Sequence, residues 1–397
     1  MARPVLFPLG SRRQKVVWWF FWAIGGIPWS VMFRWKPGAH KLIPRKGPFL
    51  LVANHASMFD PVWVAFWLFR RVNYLTSSAL FRVPILGRIL TICGCIPKAK
   101  FDKDPEAMKA LADRYEDGDI IVLFPEGTRS WDGRPGQTLP GIGRLVKRLN
   151  ARVVTARVLN GHLYHPRWAR FPRWVPIRVD YDPARTFPDS MSVEEIADEI
   201  SRSITINPKV EPEGLFANFA PGYRKADGLP DYLWACPTCY EEEALTVPKK
   251  GGHSLACTAC ESQWRVDSYN NLIGDSQLRV DEAFDLIAGH FGTPPRRPTG
   301  GPRALEDKGL VRLVPRKGPS IAPVEGTLQL CEDGLRVTSE NGDLWHRPLT
   351  ELRAVSVEVA NQLTVRTGDE LYEVRLHSAS PLKWGHFLKL WVASAKN

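Results

Sequence analysis

The sequence predicts an α/β domain in the first half of the chain, then a small four-cysteine ribbon, then an all-β domain closed by a helix. Three observations carry this. Between about residues 45 and 210, short apolar runs alternate with stretches of helical periodicity, the pattern of strands and helices packed in layers. Two Cys-x-x-Cys pairs, Cys236/Cys239 and Cys257/Cys260, stand 17 residues apart. From about Leu310, seven short β-type runs separated by turn signals lead to a helix starting at Pro381. With 397 residues, 44% hydrophobic and 24% charged, the chain has material for two or three domains. That composition excludes a disordered chain, a collagen-like fibre and a polytopic membrane protein.

The first element, residues 1–44, is set apart by charge. The net charge is +11, yet Met1 to Phe59 contains no acid and nine bases: Arg3, Arg12, Arg13, Lys15, Arg34, Lys36, Lys41, Arg45 and Lys46. Seven of the 15 tryptophans lie in residues 18–67. Basic residues favour anionic surfaces, and tryptophan favours the membrane–water interface. Val16–Phe33 is 18 residues without a charge, near the minimum for a span, but Gly25, Gly26 and Pro28 interrupt it. Both flanks are basic, which fits interfacial helices better than one spanning helix. A single span, a buried helix and a signal peptide are the alternatives, the last without a clear cleavage site.

Phe49–Ala53 reads as a buried strand ending at Asn54-His55-Ala56-Ser57-Met58-Phe59-Asp60. Pro61–Phe69 has a helical look, and Ile89–Ile96 reads as a strand containing Gly94. Pro105–Asp117 is expected as a helix and Asp119–Pro125 as a buried strand, followed by Glu126-Gly127-Thr128-Arg129-Ser130. Ile142–Leu149 reads as helix, with Arg152–Leu159 and Trp174–Tyr181 as strands. Ser192-Val-Glu-Glu195 is a capping box opening a helix with Ile196, Ile200 and Ile204 on one face.

The chemistry sits in two motifs. NHASMFD holds His55 and Asp60, and FPEGTRS begins 64 residues after Asp60, each at the end of an apolar strand. With the two motifs intact, residues 15–210 resemble the glycerolipid acyltransferases, whose best-known members are the 1-acyl-glycerol-3-phosphate acyltransferases. The resemblance implies direct acyl transfer from a thioester to an alcohol, the substrate hydroxyl being the nucleophile. Such a step needs a base for the hydroxyl proton. Histidine ordinarily titrates nearest neutrality, so His55 is the candidate, with Asp60 orienting it. Five residues along a helix rotate by about 140°. His55 is therefore expected on the strand-to-helix turn, with Asp60 just inside the helix, whose N-terminus could assist an oxyanion. In the second motif Arg129 can fork onto a phosphate, Gly127 permits close backbone approach and Thr128 offers a hydroxyl. Glu126 is expected to position the arginine. In the middle motif, Gly94–Lys100, Lys100 stands where the family usually has arginine. Thr155 stands where the family's apolar-Val-Pro-Val run commonly has its proline, and Arg157 adds a charge. A lone histidine before a helix is ordinarily a cap or core residue; the second motif weighs against that reading here. Cys93 and Cys95 read as packing residues.

The cysteine pairs match a tetrahedral, structural zinc site of Cys236, Cys239, Cys257 and Cys260, and residues 229–275 resemble a zinc ribbon. Glu241, Glu242 and Glu243 beside few lysines argue against a nucleic-acid grip. Scattered cysteines without a disulfide framework indicate a reducing compartment. The last β-type segment resembles a pleckstrin-homology or GRAM-type barrel in element order.

The expected fold is thus an α/β acyltransferase domain with N-terminal membrane-interfacial helices, a zinc ribbon and an all-β (PH/GRAM-like) C-terminal domain. The expected boundaries are a membrane-anchoring segment at 1–44, the acyltransferase domain at 45–228, the ribbon at 229–275, a short helix and linker at 276–308, and the β domain at 309–397. The expected partners are an anionic membrane surface, a lysophospholipid acceptor and acyl-CoA or acyl carrier protein as donor, with no nucleic acid. The expected location is membrane-associated, with the active site facing the cytoplasm (the inner membrane in a bacterium). The product from 1-acyl-glycerol-3-phosphate would be phosphatidate. Another lysolipid or glycerol-3-phosphate as acceptor, and a catalytically inactive membrane scaffold, are the alternatives.

Overall fold

The computed structural model describes residues 42–68, 70, 72–98, 104–206, 222–249, 252–292, 305–315, 322–331, 333–340, 342–357, 362–368 and 370–396, with Val16, Phe20, Ala23, Ile24, Lys36 and Pro37 before them. Most of the expected anchoring segment, and Lys100, lie outside the described residues. Among the described residues, no helix is long and apolar enough to cross a membrane. The chain forms two compact units, residues 2–167 with 171–223, and residues 168–170 with 224–397.

In the first unit the elements are β1 (Lys36–Pro37), β2 (Phe49–Ala53), α1 (Asp60–Ala65), β3 (Val72–Ser77), α2 (Pro84–Ile92), β4 (Ile96–Lys98), α3 (Pro105–Glu116), β5 (Ile120–Leu123), α4 (Gly141–Leu149), β6 (Val153–Leu159), α5 (Gly161–Tyr164), β7 (Arg178–Tyr181) and α6 (Val193–Ile204). The strands form one sheet in the order β1-β7-β6-β2-β5-β3-β4. β2 runs parallel to both its neighbours, β5 and β6, and β3 is parallel to β5 and β4. Only β7 opposes its neighbour β6. All five residues of β2 are fully buried, as expected for a central strand of a parallel sheet covered on both faces. Leu50, Val52, Ile121, Leu123 and Val153 share one core cluster with Ala107 and Leu111 of α3, Ile142, Leu145 and Val146 of α4, and Ile196 and Ile200 of α6. By strand alternation the opposite face takes Leu51 and its neighbours. The capping box at Ser192 and Glu195 is formed, and Ile204 is buried with the other two isoleucines of α6.

Two sequence expectations are corrected. The run Ile89–Ile96 is not one strand: its first residues end α2, and only Ile96 begins β4. Pro84 occupies the first turn of α2, where its missing N–H costs nothing. The helix closes as the Cys95 N–H donates to the Leu90 carbonyl at 3.0 Å. A short run apolar at nearly every position carries no period to decide between the two structures. The strand expected at Trp174–Tyr181 is confined to Arg178–Tyr181.

The second unit begins its regular structure with α7 (Leu229–Tyr232). A five-stranded antiparallel sheet follows, β8 (Leu245–Thr246), β9 (Ser254–Cys257), β10 (Gln263–Val266), β11 (Asn271–Gly274) and β12 (Gln277–Arg279), in the order β12-β11-β10-β9-β8, and then α8 (Val280–His290). Seven further strands are β13 (Leu305–Pro315), β14 (Val324–Cys331), β15 (Gly334–Ser339), β16 (Gly342–Arg347), β17 (Ala354–Val357), β18 (Gln362–Arg366) and β19 (Glu370–Leu376). They form an antiparallel sheet in the order β16-β15-β14-β13-β19-β18-β17. Helix α9 (Pro381–Lys396) buries Trp384, Leu388 and Trp391 in the same core as Leu328, Val337, Leu363 and Val374. It also ties the two sheets together. Lys383 Nζ lies 2.7 Å from Glu242 and 2.8 Å from Glu243, while the Trp384 Nε1–H donates to Asp307 at 2.8 Å.

Candidate active site

The parallel strands β2, β5 and β6 end side by side, and the candidate residues follow those ends, the usual site of ligand binding in open α/β sheets. His55 lies two residues beyond β2, on the turn, and Asp60 is the first residue of α1. His55 Nδ1 is 2.9 Å from Asp60 Oδ2. The same oxygen accepts the backbone N–H groups of Ala56 and Ser57, each at 2.7 Å. Asp60 is completely buried, whereas the His55 side chain keeps 19% exposure. Three donors converging on one acceptor oxygen fix the tautomer. With Nδ1 donating to that carboxylate oxygen, Nε2 keeps the ring's lone pair. Phe124, just after β5, stacks on the imidazole at a centroid distance of 4.2 Å.

The turn is braced from both neighbouring strands. The Asn54 side chain extends the β2–β6 ladder: its Nδ2 donates to the Val158 carbonyl at 3.2 Å, and its Oδ1 accepts the Val158 N–H at 2.7 Å. From the β5 side, Glu126 Oε1 accepts the His55 N–H at 2.9 Å, and Oε2 accepts the Gly136 N–H at 2.8 Å. The His55 carbonyl in turn receives the Ser130 N–H at 2.8 Å. The two oxygens of Glu126, the residue expected to position Arg129, thus each take a backbone N–H. Its carboxylate holds the backbone of His55 and of the loop at Gly136. Burial raises the Glu126 carboxyl above its ordinary value, against the pull of those two N–H groups and with a further push from Asp60.

The rest of the second motif forms an accessible loop. Gly127 adopts φ +69, a conformation that favours glycine, and Gly127 and Thr128 are exposed while Arg129 is half-buried. Sequence reasoning missed Arg167. Its guanidinium donates to Thr128 Oγ1 and to the Arg129 carbonyl, both at 2.8 Å, and stacks over the Trp131 ring at 4.2 Å. Arg167 follows no motif; its only sequence signal is a basic residue in an aromatic stretch after β6. The two departures on β6 turn away from this loop chemistry. Thr155 Oγ1 donates to Asp182 at 2.6 Å, and Arg157 donates to the Ser203 carbonyl at 3.0 Å. The first turn of α1 does not serve an oxyanion. The Asp60 N–H donates to Ser57, those of Val62 and Trp63 to Phe59, and Pro61 has none. Cys95 is buried, which pushes its thiol up to about 12, the state of a packing residue.

In the second unit the sulfur atoms of Cys236, Cys239, Cys257 and Cys260 all lie within 4.8 Å of one another. Cys236 is 3.7 Å from Cys260 and Cys239 is 3.8 Å from Cys257. Zinc–sulfur bonds of about 2.3 Å in a tetrahedron set sulfurs about 3.8 Å apart, whereas a disulfide needs about 2.05 Å. The Thr238 and Ala259 N–H groups point at Cys236 and Cys257 sulfur, each at 3.4 Å. The donor set fits a four-thiolate metal site.

Comparison with known proteins agrees with the first unit. The family model described as Acyltransferase matches residues 38–159. The chloroplastic 1-acyl-sn-glycerol-3-phosphate acyltransferase LPAT1 of Arabidopsis thaliana is 27% identical over 119 residues, 30% of this chain and 33% of that protein. A 1-acyl-sn-glycerol-3-phosphate acyltransferase of Chlamydomonas reinhardtii is 23% identical over 186 residues, 46% of this chain and 55% of that protein. The crystal structure of the 1-acyl-sn-glycerophosphate acyltransferase PlsC from Thermotoga maritima superposes with a TM-score of 0.41 at 18% identity, over 52% of this chain and 82% of that chain. The chain spans 33% of the length of the first of these curated relatives and 55% of the second. Residues 38–159 thus match the Acyltransferase family, and in this part the chain is similar to proteins named 1-acyl-sn-glycerol-3-phosphate acyltransferases.

Proposed function

We propose that the protein is a membrane-associated O-acyltransferase. It moves a fatty acyl group from acyl-CoA or acyl carrier protein to the free hydroxyl of 1-acyl-glycerol-3-phosphate, giving phosphatidate. One observation carries the reading: a partly exposed imidazole whose Nδ1 is held at 2.9 Å by a fully buried carboxylate. His55 Nε2 takes the proton of the acceptor hydroxyl as its oxygen attacks the thioester carbonyl. The C–S bond breaks, and the leaving thiolate takes the proton back from His55. Asp60 holds the ring and stabilises the imidazolium between the two transfers. Arg129 and Thr128, with Gly127 allowing close approach and Lys100 adding charge, receive the phosphate of the acceptor. Glu126 serves the site through the backbone it braces.

The four cysteines hold a structural zinc ion, with all four positions taken by thiolates. The basic, tryptophan-rich residues 1–44 keep the enzyme on an anionic bilayer with its site toward the cytoplasm. Val16, Phe20 and Ile24 there are apolar and exposed.

The test is His55→Ala in a purified, folded chain supplied with lysophosphatidate and acyl-CoA. Thioester consumption should fall at least about 100-fold. Near-normal phosphatidate formation by this variant would sink the proposal.

A further inference from the structure

Helix α2 is turned inside out for a surface helix. Ile85 is 75% exposed, and Val83, Leu86 and Ile89 are 48%, 37% and 38% exposed. On a helical wheel Ile85 and Ile89 lie on one stripe, with Leu86 on one flank and the exposed Arg88 on the other. The docked side carries Gly87, where an added Cβ would stand 2.3 Å from the Phe81 carbonyl oxygen. A helix that meets water ordinarily presents its polar face; α2 presents isoleucine.

Charge identifies the neighbour this face fits. Residues 61–101 contain six bases (Arg70, Arg71, Arg82, Arg88, Lys98 and Lys100) and no acid. The one acid in the first 101 residues is Asp60, and it is completely buried. An apolar stripe in a stretch of chain that carries bases and no acid matches an anionic lipid surface. Topology places it at the working edge. β3 runs parallel to β5, and β5 to β2, so the chain leaving β3 toward α2 emerges at the same sheet edge as His55. Met58 and Val62, on the turn and helix that follow His55, are exposed at that edge too, at 55% and 38%.

We propose that the exposed face of α2, centred on Ile85 and Ile89, inserts into an anionic bilayer and is a membrane contact separate from residues 1–44. It would draw the His55 edge down to the lipid plane, so that an acceptor need not leave the bilayer. This use rests on the proposed acyl transfer; the binding itself does not.

The test compares the full chain with I85E/I89E and the milder I85Q/I89Q by co-sedimentation with phosphatidylcholine vesicles, with and without phosphatidylglycerol. Circular dichroism melting checks that the variants fold. Partition onto the anionic vesicles should fall about tenfold in the Glu variant and less in the Gln variant. Hydrogen exchange of residues 83–92 should slow only when anionic vesicles are added. Acyl transfer to lysophosphatidate in vesicles should drop, while transfer to a short-chain, water-soluble acceptor stays at the wild-type rate. Wild-type partition by I85E/I89E overturns the proposal. So does slow exchange at 83–92 without vesicles, which would mean that residues 1–41 or a second copy cover the helix. Failure of both transfer assays alike would make α2 structural. H55A should bind vesicles as the wild type does, so loss of the catalytic reading and loss of this one are told apart.

Discussion

Glu126 Oε1 accepts the backbone N–H of His55 at 2.9 Å, which joins two motifs that are 71 residues apart in the chain. The bond reaches the histidine's backbone and leaves its ring to Asp60. Glu126→Gln keeps one carbonyl acceptor and turns an NH2 group against the other backbone N–H. The variant should lose about 1–3 kcal/mol of stability. Its kcat should fall while KM for the acceptor stays near wild type, because the change loosens the base rather than the phosphate grip. A raised KM at unchanged kcat would instead make Glu126 a headgroup ligand.

Burial also gives Glu126 a pH signature. Its carboxyl is raised, so the native chain holds that proton to higher pH than the unfolded chain does. The stability this supplies is complete below the ordinary glutamate range and is lost as pH rises through the raised value. Glu126→Gln has no such titration. The unfolding free energy of wild type minus variant should therefore decline as pH climbs from about 4 toward neutrality. Urea unfolding across that range measures it, and a flat difference would contradict the assigned direction.

Arg167 holds the second motif from outside it. Its guanidinium grips the Thr128 hydroxyl and the Arg129 carbonyl together while lying on Trp131. Lysine keeps the charge and loses both the fork and the flat stacking surface. Arg167→Lys should raise KM for a phosphorylated acceptor about tenfold and leave kcat within a few-fold. An equal fall in kcat at unchanged KM would show that the loop serves the chemistry and not the acceptor.

These residues also mark where the sequence stops being legible. His55 and Asp60 are five apart on a turn that local geometry determines, so their pairing follows from spacing. The capping box at Ser192 and the isoleucine stripe of α6 are local in the same way. Asn54 looks like a motif letter until its side chain is found completing the ladder to Val158, 104 residues away. Glu126 sits in a motif that suggests phosphate, yet its partners are the backbones of His55 and Gly136, which no side-chain pattern encodes. Arg167 has no spacing rule at all. The misreading of Ile89–Ile96 has a separate cause: α2 exposes apolar residues, so the polar positions that would reveal a helical period are missing.

Gly161 sets the depth of Asp60. A Cβ at that position would stand 3.0 Å from Asp60 Oδ1 and 3.7 Å from the Ser57 Cβ. Asp60 has little room to yield, since its other oxygen is held by three donors. Gly161→Ala should fold, because a helical alanine is intrinsically better than glycine. Its kcat should fall about tenfold or more as the carboxylate is pushed against the imidazole. Unchanged kcat together with a raised melting temperature would mean that the site absorbs the methyl group.

The four-cysteine ribbon and the C-terminal helix are linked through one lysine. Burial lowers the Lys383 ammonium, but Glu242 and Glu243 outweigh it and raise the group above its ordinary value. Those two glutamates lie between the cysteine pairs, so their position depends on the ribbon being folded. Purified protein should carry one zinc per chain by elemental analysis, and Cys236→Ser should lose it. Without the ribbon, Lys383 at 7% exposure would lose the two carboxylates that hold it. The variant should therefore exchange amide hydrogens faster over residues 380–392 as well as over 236–260. Faster exchange confined to 236–260 would mean that α9 is held by its Trp384 and Trp391 core alone, and that the metal stabilises the ribbon and nothing beyond it.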